Sequence, residues 1–508
     1  MRIPLDRESA EPVYQQIRRF LKEQIRSGAL PPETRLPASR EMAASLGVSR
    51  VTAINAYAEL EAEGLVYSRP GSGTFVTALT SEPPETPGDH PAGDDWPMWQ
   101  QELVNRARLS PSLMAHRAGA ATARVDLISF EEGLGATDLF PVDDLRRVLK
   151  TVLERDGSTA LDYGDGAGYA PLRTTIAQIL SSQGIPAQPD QVLITSGSHQ
   201  ALAMVGWLLL RPGDVVLVES PTYAGAIELF HAMNARLRGI PVDDQGMQVD
   251  LVEDALRTAH PRLIYTIPTF HNPTGVCLSG ARRQRLVALA NRYDVPILED
   301  DFAGDLRYEG RAQPALRTLD SGGYVIYVST FSKVLMPALR VGFLVASGPV
   351  FEQLLAYKRF SDLATSSLMQ RALEAYITVG RYQAHLRRAC REYGRRRDTM
   401  LAALARHAPA RTRWLSPQGG LFLWLQLPEG LSTDALYTTA LEEGVSFAPG
   451  SLFFPGHRQQ PYLRLNFVSQ PPDAIDEGIR RLSRAIERQL AQQQQKSDEP
   501  ERRGPVLI

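Results

Sequence analysis

Apolar positions divide the chain into two kinds of pattern. In the first 77 residues they recur at helical spacing. Pro12 is followed by Val13, Ile17, Phe20 or Leu21, and Ile25, one face of a helix that Gly28 ends. A second, short helix is predicted after Ser39 as its N-cap, closing at Leu46-Gly47. Val48-Ser49 opens a third over residues 50–63, with Ala53, Ala56, Tyr57 and Leu60 turned inward and Gly64 behind it. Residues 65–77 read as a tight two-stranded hairpin with a Gly-rich tip. From Val125 to about Leu490 the period changes. Short apolar runs, at 192–195, 215–218, 263–267, 295–298 and 325–328, alternate with helical stretches, which predicts an α/β domain.

Between these regions, residues 78–124 turn polar, and Pro83, Pro84, Pro87, Pro91, Pro97 and Pro111 interrupt any helix. This is the composition of a semi-extended linker, with room for a short helical piece around 100–108. Residues 491–508, beginning Ala-Gln-Gln-Gln-Gln, read as a fraying helix and then a disordered tail. The division is thus 1–77, 78–124, 125–490 and 491–508. Overall composition adds little beyond exclusions. With 43% hydrophobic residues and 55 Lys+Arg against 57 Asp+Glu, the chain is neither globally disordered nor a strongly basic nucleic-acid coat. Its two cysteines, Cys277 and Cys390, make no disulfide scaffold and suit a reducing compartment. The longest apolar run, 201–210, stops at Arg211 and is too short to span a bilayer. A cytoplasmic protein with no membrane partner is expected.

Two helices joined by a Leu-Gly-Val-Ser turn predict a helix-turn-helix, and the following hairpin supplies a wing. The runs Leu36-Pro37-Ala38-Ser39-Arg40-Glu41, Leu46-Gly47-Val48-Ser49-Arg50 and Gly71-Ser72-Gly73-Thr74-Phe75-Val76 fall in one order. In that order they resemble the winged helix of the GntR regulators. The resemblance implies that the third helix enters the major groove of operator double-stranded DNA. Ser49, Arg50 and Thr52 would lie on its first turn, with Arg40 and the Gly71 wing tip against backbone or minor groove. Charge alone does not separate this from a small packing domain. Residues 1–77 hold ten basic against nine acidic side chains, a net of +1, although Arg40, Arg50 and Arg69 gather where docking needs them.

In the larger region each predicted strand leads into a chemically distinctive turn. Ser196-Gly197-Ser198-His199 opens a helix, where free backbone N–H groups make a cup for phosphate. Tyr223 follows the next strand, Asn272-Pro273-Thr274-Gly275 the third, and Glu299-Asp300-Asp301 ends the fourth. The fifth leads to Ser329-Thr330-Phe331-Ser332-Lys333, with Arg340 seven residues on, and Arg464 stands near the end. A lysine able to form an imine, an acid to keep a ring nitrogen protonated and an aromatic to stack ask for pyridoxal 5′-phosphate (PLP). The ordered set resembles the fold-type I aminotransferases over roughly residues 125–490. By that resemblance Lys333 would be the Schiff-base lysine, Asp300 the partner of the pyridine nitrogen and Asn272 the contact of the ring oxygen. Tyr223 would stack, and Ser198, His199, Thr330 and Arg340 would surround the phosphate, His199 through its backbone. Tyr163 would reach the neighbouring subunit's phosphate, and Arg464 would clamp a ligand carboxylate bidentately. One departure stands out: the tyrosine expected two or three residues beyond the aspartate is replaced by Phe302 and Ala303. Cofactor binding with blunted catalysis is the expectation.

Together the two halves resemble the MocR/GabR-type transcriptional regulators. The implied fold is multidomain: a winged helix-turn-helix (α+β), then an α/β PLP-dependent transferase of fold type I with a small C-terminal α+β subdomain. The implied function is a PLP-dependent homodimeric regulator that senses a small amine, an amino acid or PLP itself. The alternatives are a working aminotransferase with an appended DNA-binding domain, which keto-acid turnover would reveal, and a regulator that has lost PLP.

Overall fold

The computed structural model describes residues 3–7, 9, 11–69, 71–78, 98, 126–456 and 461–498. The linker expected over 78–124, with its helical piece, and the end of the tail lie almost wholly outside them. The chain separates into two compact units, Met1–Arg106 and Ala107–Ile508.

In the smaller unit three helices, α1 (Val13–Arg26), α2 (Ser39–Leu46) and α3 (Arg50–Ala62), pack beside an antiparallel hairpin of β1 (Val66–Arg69) and β2 (Gly73–Val76). Ile17, Leu21 and Ile25 bury one face of α1, so Leu21 rather than Phe20 points inward. Gln16 shares that face because its amide is fully engaged. It donates to the Asp6 and Glu11 carbonyls at 2.8 and 2.9 Å and accepts from the Asp6 N–H at 2.9 Å. Ser39 is not the cap of α2 but its first residue. Ala38 holds the cap position, and the Glu41 carboxylate reaches back to the Ala38 N–H at 3.2 Å, satisfying that donor in place of a hydroxyl. Gly47 ends α2 in the left-handed conformation, and the Ser49 hydroxyl caps α3 by accepting from the Thr52 N–H at 3.1 Å.

The larger unit's first described strand is the short β3 (Ile128–Ser129), and the unit is built on a mixed sheet of β4 (Val192–Thr195), β5 (Val215–Ser220), β6 (Arg236–Asp243), β7 (Gly246–Met247), β8 (Leu263–Thr266), β9 (Ile297–Asp301), β10 (Val325–Thr330) and β11 (Gly342–Val345). Among the described residues these lie in the order β4-β11-β10-β9-β8-β5-β6-β7. The strands β10, β9, β8, β5 and β6 run parallel; the first four are almost wholly buried, which explains their apolar runs, whereas β6 buries only Ile240. β9 departs from the sequence reading at both ends. It begins at Ile297, since Pro296 has no N–H to give, and it continues through the acidic triplet. The acids stay in the sheet because each finds donors: Glu299 accepts from the Leu316 and Arg317 N–H groups at 2.8 and 2.9 Å, and Asp301 from the Tyr327 hydroxyl at 2.6 Å.

A smaller antiparallel sheet, β12 (Arg413–Trp414), β13 (Phe422–Gln426), β16 (Tyr462–Asn466) and β15 (Ala448–Pro449), forms the C-terminal subdomain, and β14 (Val445–Ser446) pairs in parallel with β3. The long helices Arg381–His407 and Pro472–Asp498 belong to the same part of the chain. The last helix runs to Asp498, past the expected start of the tail at 491. Gln493 holds it there by donating to the Gly430 carbonyl at 2.6 Å, a contact between segments distant in sequence.

Candidate functional site

Parallel strands deliver their carboxyl ends to one side of a sheet, and the turns beyond them converge there. Ser198, Tyr223, Asn272, Asp300, Lys333 and Arg464 line a single cavity of about 290 Å³, together with Phe302, Phe422 and Phe453. Six of the residues singled out in the sequence are thereby brought together. Ser198 opens helix α4 (Ser198–Leu209), and Tyr223 immediately precedes helix α5 (Ala224–Ala232).

Asp300 is fully enclosed. The Tyr265 hydroxyl donates to its Oδ2 at 2.9 Å, while its Oδ1 has no partner. Burial pushes its carboxyl up to about 7, against the Tyr265 hydrogen bond, which favours the anion. Such an orphaned buried oxygen fits a cationic N–H, which a protonated pyridine would supply. Behind it, Glu219 accepts from the Thr266 hydroxyl and the Ile267 N–H and stands 3.5 Å from His271 Nε2. His271 Nδ1 lies 2.8 Å from the Thr274 hydroxyl, so this buried group fixes the turn that carries Asn272. Glu219 and His271 were passed over in the sequence because nothing in their local spacing marks them.

Arg464 lies in β16, buried, with its guanidinium 4.1 Å from the Phe422 ring centroid. It does not present a free fork. One terminal nitrogen donates to Asn272 Oδ1 at 3.0 Å and the other to the Glu131 carbonyl at 2.6 Å, while its Nε is unpartnered. Engaging Asn272 Oδ1 leaves the amide NH₂ of Asn272 as the available group, the donor a ring oxygen requires.

Lys333 sits just past β10, and burial, followed by the positive charges of Arg464 and Arg340, lowers its amine to about 8. A substantial neutral fraction near neutral pH is the state that can attack a carbonyl. At the opposite end, the first turn of α4 has N–H groups without intrahelical acceptors. Gly197, before that turn, adopts φ +102°, and a Cβ there would meet the Arg340 guanidinium at 3.0 Å. Arg340 donates to the Ser196 carbonyl at 2.7 Å and itself takes a left-handed backbone. Thr330 is buried, its hydroxyl accepting from the Ser332 N–H at 3.1 Å, and His199 is exposed on α4. Tyr163 is not drawn into this cavity; its side chain is 82% exposed. Gly225 is a residue sequence reasoning missed. A Cβ there would come within 2.6 Å of the Tyr223 ring, so glycine lets that ring fold over the start of α5. These features fit PLP: an orphaned acid, a lysine and a ring-oxygen donor share one enclosure with Ser198, while His199, Thr330 and Arg340 lie outside its lining.

The two titrations run in the same direction. Asp300 is anionic above about 7 and Lys333 neutral above about 8. Capture of added PLP by the apo-protein should therefore accelerate as pH rises from 6 to 9. The rise approaches roughly a hundredfold per pH unit where both groups are still protonated, eases to about tenfold between the two values and levels off above the Lys333 value. Stopped-flow absorbance would measure it, and a flat profile would contradict the assigned ionisations.

On the smaller unit, Ser49, Arg50, Thr52 and Arg40 lie at or beside the amino ends of α2 and α3, with Arg40 and Arg50 exposed. Gly71, at φ +75°, turns the open tip of the hairpin. Arg69 is less available than its position suggested. It pairs with Glu33 at 3.5 Å and lies over the Tyr67 and Phe75 rings. Val51 and Ile54 are exposed on α3 at 63% and 43%, an apolar surface on the helix that a core pattern does not explain. Such side chains suit thymine methyl groups in a major groove.

Comparison with known proteins agrees with both halves. Residues 13–76 match the family of bacterial regulatory proteins, gntR family, and residues 133–482 match aminotransferase class I and II. The probable rhizopine catabolism regulatory protein MocR of Rhizobium meliloti is 33% identical over 95% of this chain and 95% of its own length. The aromatic-amino-acid aminotransferase 1 of Thermococcus litoralis is 38% identical, over 72% of this chain and 89% of its own. Among solved structures, Pyrococcus horikoshii kynurenine aminotransferase superposes with a TM-score of 0.73 at 34% identity, covering 77% of this chain and 99% of its own. LysN of Thermus thermophilus, complexed with N-(5′-phosphopyridoxyl)-L-leucine, gives 0.72 at 35%, covering 78% and 99%. PLP is the cofactor of this fold family, and no described helix is long and apolar enough to cross a membrane. With regulators matching nearly end to end and aminotransferases matching only the larger unit, the chain belongs to the MocR-type transcriptional regulators, a GntR-family DNA-binding domain joined to an aminotransferase class I and II domain.

Proposed function

We propose that the chain is a cytoplasmic, homodimeric regulator whose aminotransferase-like domain is a sensor rather than a working enzyme. The cofactor supplies an aldehyde that amines can capture reversibly and a ring that accepts electrons. Lys333 anchors it, Asp300 holds its ring nitrogen, Asn272 donates to its ring oxygen and Tyr223 covers its face. Ser198, Thr330, Arg340 and the His199 backbone hold its phosphate, and Tyr163 serves the partner's. Arg464 receives the carboxylate of the effector, an amino acid that competes with Lys333.

The observation that carries this reading is Phe302. It is buried against the cavity, its ring stacked on Phe422 with centroids 6.2 Å apart, in the place where the resembling aminotransferases carry a phenol. A hydrogen bond to a charged oxygen contributes about 1.5–3 kcal/mol. Its loss leaves ligand capture intact and slows proton-transfer chemistry. Incubated with an amino acid and a keto acid, the holo-protein should complete at most slow turnover, while Phe302→Tyr gains roughly ten- to a hundredfold, the rate equivalent of that bond. Sustained rapid transamination by the native chain would favour the enzyme reading.

On the DNA side, Ser49, Arg50 and Thr52 at the amino end of α3 read the operator, with Arg40 and the Gly71 tip against its backbone or minor groove. Arg50→Ala should cost about 1–3 kcal/mol of specific binding if Arg50 reads a base, and leave PLP uptake unchanged. Normal operator affinity in that variant would remove α3 as the reader.

A further inference from the structure

One charge lining the cavity has no task in the reading above. Glu228 lies on α5 and lines the same enclosure as Lys333 and Arg464. Ala224 and Glu228 are four residues apart, so they share one helical face. Ala224 and Gly225, which line the cavity between Tyr223 and Glu228, carry at most a methyl group, and the Tyr223 ring lies over Gly225. No hydrogen bond or ion pair engages Glu228 among the described residues; it is exposed on α5, at the open side of the cavity lining, and what burial it has raises its carboxyl above the ordinary range. The other charged groups of the lining are committed: Asp300 faces the ring nitrogen, Lys333 binds the cofactor, and Arg464 is the receptor for a carboxylate.

Resting on that assignment of the site, we propose that the effector is an amino acid with a second cation on its side chain, a diamino or guanidino acid. Its carboxylate faces Arg464, and its distal cation faces Glu228. The lining discriminates in both directions. A cationic tail neutralises the unpaired carboxylate, whereas an anionic tail meets Glu228 with no second lining arginine to receive it. A neutral aliphatic tail leaves Glu228 as it stands.

Calorimetric titration of the PLP-loaded full-length protein tests this with three probes of similar length: lysine, norleucine and 2-aminoadipate. Lysine should bind about two- to fivefold more tightly than norleucine, and norleucine more tightly than 2-aminoadipate, as expected for one ion pair at an exposed carboxylate. Glu228→Gln should bring lysine to the norleucine level while leaving norleucine within about twofold, and Glu228→Lys should favour 2-aminoadipate. Equal binding of lysine and norleucine, or a preference that survives Glu228→Gln, would overturn the role of Glu228 while leaving the cofactor site intact. If none of the three bound or changed the visible spectrum, the reading of the cavity as an amino-acid site would fall, and this proposal with it.

Discussion

Lys333→Ala is expected to abolish the covalent attachment of PLP and the visible absorption that accompanies it. The expectation rests on placement as much as on residue type. Lys333 is buried, its amine is shifted down to about 8, and it shares a cavity with Asp300, whose Oδ1 awaits a donor. Borohydride treatment of the native protein should fix a pyridoxyl mass on the peptide containing residue 333, and the variant should show none. Asp300 and the anion cradle remain in the variant, so it should still bind PLP, reversibly and more weakly. A native-like spectrum in Lys333→Ala would assign the attachment to another amine.

A comparably large effect is expected on the DNA side when one half of a two-site operator is scrambled. Residues 1–77 have a nearly balanced charge, and Arg69 is tied to Glu33, so a single winged helix has little electrostatic grip. If the aminotransferase-like domains dimerise, as proposed above, two DNA heads act at high effective concentration. Scrambling one half-site should then weaken full-length binding by about 10²-fold or more, the scale of linked binding events. A change of twofold or less would show that the heads bind independently.

Much of this was legible in the residues. The helix-turn-helix announced itself through local rules: Gly47 in its left-handed turn, Ser49 as cap, and the wing glycines. Most of the candidate cofactor residues could be singled out because they stand at or just past strand ends, where sequence and chemistry coincide. Three kinds of feature were not legible. The start of α2 was misplaced by one residue because the capping group is Glu41, three positions inside the helix. The extension of β9 through Glu299 and Asp301 depends on donors from Leu316, Arg317 and Tyr327, which only the folded chain brings near. Arg464 read as a free clamp, yet its terminal nitrogens are engaged by residues 192 and 333 positions away in the chain. Local pattern carries elements and candidate chemistry; partners across the fold must be seen.

The central claim is that occupancy of the cofactor cavity sets the affinity of the DNA heads. The most direct measurement is operator binding by the PLP-loaded full-length protein during titration with an amino-acid effector, with the visible spectrum followed in the same samples. A ligand can shift DNA binding only by its differential affinity for the two states. The account predicts that operator affinity and spectrum change at the same ligand concentration, and that Lys333→Ala abolishes the spectral change of the lysine-linked cofactor together with the coupled change in DNA binding. A spectrum that responds fully while operator affinity stays constant would contradict it, and would leave an aminotransferase domain that does not report to the DNA.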